Sequence, residues 1–343
     1  MKPFTQLIVI LLITLSFSSC KQNIDIQTSG MIDESIFLKR DKQSLYLKVA
    51  GNIDSKKILL IIHGGPGGSG LDYRDSFFIN QIEKEFAVAY FDQRFGGNSF
   101  GNGGATDYTS FQTDIEQTID LLQQLFGQDQ KIYLMAHSWG GFIAPYFLGN
   151  SEYRNKVSGW IQIDGAHNYP LNDSLTEVML ANFADSQIIA QQNLNHWNNV
   201  KDYCAKHNFS DDYSVTAQLN DFAHKSESFI DSIYQPLDKY IVYDPDYSYK
   251  HNNFNLFVSG ILQIDQATYN TNVNAYLSKI SNPVLMIWGK YDFVCPQPLA
   301  ADLGNQIASP DQQFELFEHS GHSPMANEPE KFASILINWI KNH

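Results

Sequence analysis

The chain has 343 residues, 43% hydrophobic and 17% charged, with a formal net charge of −14. That length and apolar content argue against disorder and suit one large domain, or one domain with an insertion. With 37 acidic residues against 23 basic ones, nucleic acid is not expected as a partner, because phosphate binding needs clustered Lys and Arg.

The first residues, MKPFTQLIVILLITLSFSSCKQ, place one lysine before a run from Leu7 to Leu15 that is apolar except for Thr14. A run far short of about 20 residues reads as a secretory signal, not a spanning helix, so residues 1–19 are expected to be removed. The tail FSSC resembles a bacterial lipobox with Phe17 in place of the usual Leu. That resemblance implies a lipid on Cys20 and an exported protein anchored to the cell envelope. Ordinary cleavage near Ser19, leaving a periplasmic protein with a free Cys20, is the alternative.

Residues 20–35 are polar and suit a tether. SIFLKR and SLYLKVAG then alternate as a hairpin around Asp41-Lys42. KILLIIHGG and FAVAYFDQ are continuous apolar runs, the pattern of parallel strands buried on both faces. YRDSFFINQIEKE between them has helical spacing. Phe111, Ile115, Ile119, Leu122 and Phe126 then repeat near a 3.6-residue period, predicting a helix that closes on Gly127. KIYLMAHS, WGGFIAPYFLG and VSGWIQIDGA follow as strand, helix and strand, and NPVLMIWGKYD and QFELFEHSGHS are the last strands before a C-terminal amphipathic helix.

This alternation predicts an α/β fold with a mostly parallel sheet. The core is expected over 36–166 and 280–343. Residues 167–279 form an inserted helical cap with thirteen acids and six lysines. Cys204 and Cys295 are read as free, buried thiols, since nothing in their spacing requires a bridge. No C-x-x-C pair and no H-E-x-x-H occurs, so a metal site has no sequence support, and no cofactor is implied because the serine chemistry read below needs none.

Ser138 stands where a strand gives way to a helix, which makes it a nucleophile candidate. The turn needs little bulk, and Ala136, Gly140 and Gly141 supply that. A serine hydroxyl needs a base to take its proton and an acid to orient the base. Asp292 and His322 follow it at later strand ends, in the order Ser, Asp, His, and on the side of the sheet where open α/β folds bind ligands. His319 is the nearest rival base. The Gly-rich loop IIHGGPGGSG brings backbone amides close to a ligand, and the amides of Gly65 and Trp139 are the expected oxyanion donors. His63 is read as a loop-stabilising residue.

Taken together, HGGPGG, FDQRFGGNS, HSWGG, GKYDFVCP and SGHS, spread over residues 63–323, resemble the proline iminopeptidase branch of the α/β-hydrolases. The resemblance implies the α/β-hydrolase fold, a serine peptidase triad on Ser138, Asp292 and His322, and a cis Gly65-Pro66 bond. It also implies an aminopeptidase acting on short peptides with a free N-terminus. Relatives bind the terminal ammonium with cap carboxylates, often glutamates, and the cap's two glutamates are Glu177 and Glu227. Aspartates such as Asp185, Asp231 and Asp265 are possible substitutes. Phe95 stands where the branch has a glycine, and Ala136-His137 replaces Gly-Gly before the serine. A carboxylesterase or other small-molecule hydrolase is the alternative function.

Overall fold

The computed structural model describes residues 26–40, 43–101, 105–207, 212–235, 246 and 254–343. The signal, Cys20 and the hairpin turn at Asp41-Lys42 lie outside the described residues. Among those described, nine strands form one sheet: β1 (Met31–Arg40), β2 (Gln43–Asn52), β3 (Lys57–Ile62), β4 (Ala87–Phe91), β5 (Phe100–Gly101), β6 (Lys131–His137), β7 (Gly159–Ile163), β8 (Val284–Gly289) and β9 (Gln312–Phe317). Their order is β1-β2-β4-β3-β6-β7-β8-β9, with β5 beside β2.

Pairing is parallel from β4 through β9, and β2 is antiparallel to both β1 and β4. The central strands are apolar because both faces are covered. In β3, Ile58, Leu60 and Ile62 enter one hydrophobic layer, and Leu59 and Ile61 enter the other, as the two-residue period of a strand dictates. The first layer packs on helices α1 (Tyr108–Phe126) and α2 (Gly140–Leu148).

Strand β1 begins at Met31, so 31–35 belong to the sheet and not to the expected tether. Their polarity misled because β1 is an edge strand with alternate side chains in water.

Among the described residues, four longer cap helices follow β7: α3 (Tyr169–Ile189), α4 (Leu194–Cys204), α5 (Tyr213–Glu227) and α6 (Phe254–Thr268). The cap leaves and rejoins the core at neighbouring points, where the Val273 amide donates to the His167 carbonyl at 3.0 Å. Core contacts resume before residue 280, since Tyr276 already packs edge-on against Tyr146 of α2. Helices α7 (Pro298–Gln306) and α8 (Pro329–Asn342) complete the chain; α7 joins the first layer and α8 covers the second.

Candidate active site

Each candidate catalytic group sits in a turn at the C-terminal end of a parallel strand. β6 is buried up to His137, and Ser138 then adopts φ 54, a left-handed conformation that a non-glycine residue holds only when its surroundings impose it. The constraint is close packing beneath the turn. A Cβ on Gly140 would lie 2.0 Å from the Ile62 carbonyl oxygen, so only glycine lets the chain pass from β6 into α2. Ala136, fully buried, fits the position before the turn without a clash.

The structure brings together the three residues singled out by chain order. His322 Nε2 lies 2.9 Å from Ser138 Oγ, and its Nδ1 lies 2.9 Å from Asp292 Oδ2. Asp292 is fully buried, and its Oδ1 accepts hydrogen bonds from the Val294 and Cys295 amides, both at 2.8 Å. With Nδ1–H donating to Asp292, Nε2 is left to accept the serine proton. Burial opposes charging of His322, but the Asp292 carboxylate, by charge and hydrogen bond, and Glu227 outweigh it and hold the imidazole above its ordinary pKa. His319 lies elsewhere, stacked on Tyr234 at 4.0 Å.

The His322 backbone is gripped from two sides. Its amide donates to both carboxylate oxygens of Glu227, at 3.1 Å each. Its carbonyl is 2.7 Å from His137 Nε2. Because a carbonyl only accepts, His137 carries its proton on Nε2, which leaves Nδ1 to accept from the Tyr73 hydroxyl at 2.6 Å. Tyr73 Oη in turn accepts from the Gly64 amide at 3.1 Å. Burial, with the nearby His322, pushes His137 down to about 3, so this chain of bonds stays neutral. It ties the Gly-rich loop to the base.

That loop carries Gly65 at φ 120, followed by a cis Gly65-Pro66 bond. Among the described residues, neither the Gly65 nor the Trp139 amide has a protein acceptor. Both flank Ser138 in the chain or in space, as oxyanion donors must. The DQR stretch builds the floor below. Asp92 accepts from Ser69 Oγ and the Gly70 amide, both at 2.7 Å, and Gln93 donates to the His63 carbonyl at 2.9 Å. Arg94 forms a two-pronged pair with Asp114 at 2.6 and 2.8 Å. His63 accepts from the Gln93 amide at 3.0 Å and bonds the Gly64 carbonyl at 2.7 Å, so it braces the loop.

A second carboxyl, Asp164 at the end of β7, was not singled out in the sequence. It is fully buried with φ 44 and accepts from the Gly289 amide at 2.9 Å. Burial, followed by the charge of Asp292, raises its pKa well above the ordinary aspartate value, so a second buried acid stands beside the triad. Its position after WIQI, at the same sheet end as the other groups, is the signal that would have found it.

Two cavities meet at Ser138. One, of about 400 Å³, lies under the cap and is bordered by Asp173 of α3, Asp221 of α5 and Asp265 of α6, with no Lys or Arg on its wall among the described residues. Asp173 accepts from Thr216 Oγ1 at 2.9 Å, and burial raises it to about 7. Burial raises Asp265 to about 6. The other cavity, of about 390 Å³, extends past His322 toward Tyr73 and Met325.

Glu177 and Glu227, the carboxylates expected to hold an amine, border neither cavity. Glu177 lies one turn beyond Asp173 on α3, beside Cys204 of α4. Glu227 is committed to the His322 amide. Asp185 pairs with Lys201, and Asp231 lies in a separate cleft. Cys204 and Cys295 are both free and buried.

Comparison with known proteins agrees with this geometry. The family model described as alpha/beta hydrolase fold matches residues 57–329. The chain is 22% identical over 333 residues to the probable aminopeptidase YbaC of Bacillus subtilis, covering 91% of this chain and 97% of that protein. It is 27% identical over 306 residues to the proline iminopeptidase of Clostridioides difficile, covering 86% and 94%. Among solved structures, a proline iminopeptidase-related protein from Thermus thermophilus superposes with a TM-score of 0.61 at 17% identity, covering 90% of this chain and 97% of that one. An esterase from Exiguobacterium antarcticum superposes at 0.54 with 21% identity, covering 91% and 99%. The protein is a hydrolase, and its chain belongs to the α/β-hydrolase family.

Proposed function

We propose that the protein is a serine aminopeptidase of proline iminopeptidase type, which releases the first residue of short peptides. The observation that carries this reading is the cavity beside Ser138, where three aspartates from three helices face a space with, among the described residues, no lysine or arginine. Such a space concentrates cations, and an ammonium is the cation that a peptide's end supplies. Burial keeps Asp173 and Asp265 partly protonated near neutral pH. A bound ammonium restores their ionisation, so substrate binding releases protons.

In the proposed mechanism, Ser138 Oγ attacks the scissile carbonyl as His322 Nε2 takes its proton, and Asp292 stabilises the imidazolium. The amides of Gly65 and Trp139 receive the developing oxyanion. His322 then gives its proton to the leaving amine, and water clears the acyl-enzyme by the same route. The relatives named as aminopeptidases and proline iminopeptidases support this substrate class.

Replacing Asp173 and Asp265 together by asparagine tests the reading. The double variant is expected to lose about 100-fold in kcat/KM on alanine and proline arylamides, the scale of two lost charge-assisted bonds, but only a few-fold on a short-chain acyl ester. Equal losses on both substrates would assign the cavity no part in amine recognition and favour the esterase reading.

We also propose export and lipid attachment at Cys20, on the strength of the signal-like run and FSSC. Among the described residues, no helix is long and apolar enough to cross a membrane. A Cys20→Ala variant that stays with the membrane fraction of expressing cells would refute the anchor.

A further inference from the structure

Among the described residues, only three border both cavities at the nucleophile: Gly65, Ser138 and His224. Two of these are the proposed oxyanion donor and the nucleophile, so the strip of wall they share is where a scissile bond must lie. The third is a histidine of cap helix α5. Its ring centroid stands 5.7 Å from that of His322, edge to face. Unlike His63, His137 and His322, it has no hydrogen-bond partner among the described residues.

The position of the proton donor tells the two cavities apart. In acylation, Ser138 Oγ bonds the carbonyl carbon and its proton passes to His322 Nε2. The bond from that carbon to the leaving atom then breaks, and the same proton goes to the leaving atom. The leaving arm must therefore lie on the His322 side. His322 borders the second cavity and not the aspartate-lined one.

We propose that the second cavity is the subsite for the leaving arm, that it takes an uncharged arm of at least one further residue, and that His224 binds this arm beside the scissile bond. The cavity's two acids are already engaged: Asp72 accepts from the Ser69 amide at 2.9 Å, and Asp75 from the Phe77 and Phe78 amides at 2.9 and 3.0 Å. Met325 and Ala326 supply apolar wall. Burial, then the neighbouring His322, lowers His224 to about 4, which leaves a neutral imidazole able to donate from one nitrogen and accept at the other. A backbone amide just beyond the scissile bond offers both complements.

The inference rests on Ser138 as nucleophile but not on the preference for an amine. The experiment compares two substrates with one acyl arm, alaninamide and Ala-Ala-amide, in wild-type enzyme and in the His224→Ala and His224→Gln variants. The wild type is expected to favour the longer leaving arm. His224→Ala is expected to reduce the kcat/KM ratio of long to short arm about tenfold, the scale of one lost hydrogen bond in a desolvated site, with glutamine restoring part of it. A residue that merely props the cap would lower both substrates equally and leave the ratio in place, and that result overturns the proposal, as does an unchanged ratio with no loss. If the wild type cleaves neither amide, the aminopeptidase reading fails separately. The ratio is then measured on benzyl and methyl esters of one acid, where a fall in His224→Ala supports the subsite and an unchanged ratio overturns it.

Discussion

Replacing Ser138 with alanine is expected to lower kcat by about four to six orders of magnitude on every substrate that the enzyme turns over, whether amide or ester. The size follows from geometry. The hydroxyl is the one nucleophilic oxygen within 2.9 Å of His322 Nε2 among the described residues, and alanine leaves the base with nothing to activate. Alanine also keeps the left-handed turn, since φ 54 is imposed by the packing of Gly140 on Ile62 and not by the side chain. The variant should therefore fold and still bind substrate, so KM and the melting temperature are the controls. Residual turnover within a hundredfold of wild type would remove Ser138 from the mechanism.

Asp292→Asn is expected to cost about 10⁴ in kcat. The asparagine oxygen can still accept from the Val294 and Cys295 amides, so the loop keeps its shape. Its NH₂ group, however, faces His322 Nδ1 and favours the tautomer with the proton on Nε2, where it cannot accept from Ser138. The pH profile gives an independent reading. His322 must be neutral to act as base, so activity appears as pH rises through its pKa, and the raised value places that limb above the ordinary imidazole range. Loss of the Asp292 charge should move the limb to lower pH while the plateau falls. A plateau near wild type, or a limb that stays in place, would show that another group carries the role.

The core and the triad were legible because their signals are local. Buried parallel strands are written as unbroken apolar runs, and Ser138, Asp292 and His322 each sit a few residues beyond one of them. Strand ends taken as a set locate the site without any side-chain geometry. The same logic extended to Asp164 would have located this second buried acid, which stands one residue after β7.

The cap was less legible for a physical reason. The carboxylates of the proposed amine site, Asp173, Asp221 and Asp265, come from three helices with no fixed spacing, and only packing brings them to one wall. Helices α4 and α5 are polar over most of their surface and bury narrow stripes, Trp197, Val200 and Cys204 in one and Leu219 and Ala223 in the other. Residue type misled as well. Glutamate at 177 and 227 matched the resembled branch, yet one faces α4 and the other holds the His322 amide.

Phe95, which stands where the branch has glycine, keeps the glycine-like conformation at φ 65. Its ring packs so closely on Gly260 of α6 that a Cβ there would lie 2.6 Å from Phe95 Cδ1. The departure is thus compensated in the cap, at a position far away in the chain. His137, the other departure, closes the hydrogen-bond chain from Gly64 to His322.

The central claim is that a free terminal ammonium is held beside Ser138, and the most direct measurement is kcat/KM on alanine and proline arylamides with free and with acetylated N-termini. The account predicts that acetylation lowers kcat/KM by about 100-fold or more, because it removes the cation and leaves buried carboxylates unpaired. Equal turnover of free and blocked amides, or cleavage of a short-chain ester with neither amide touched, would contradict it.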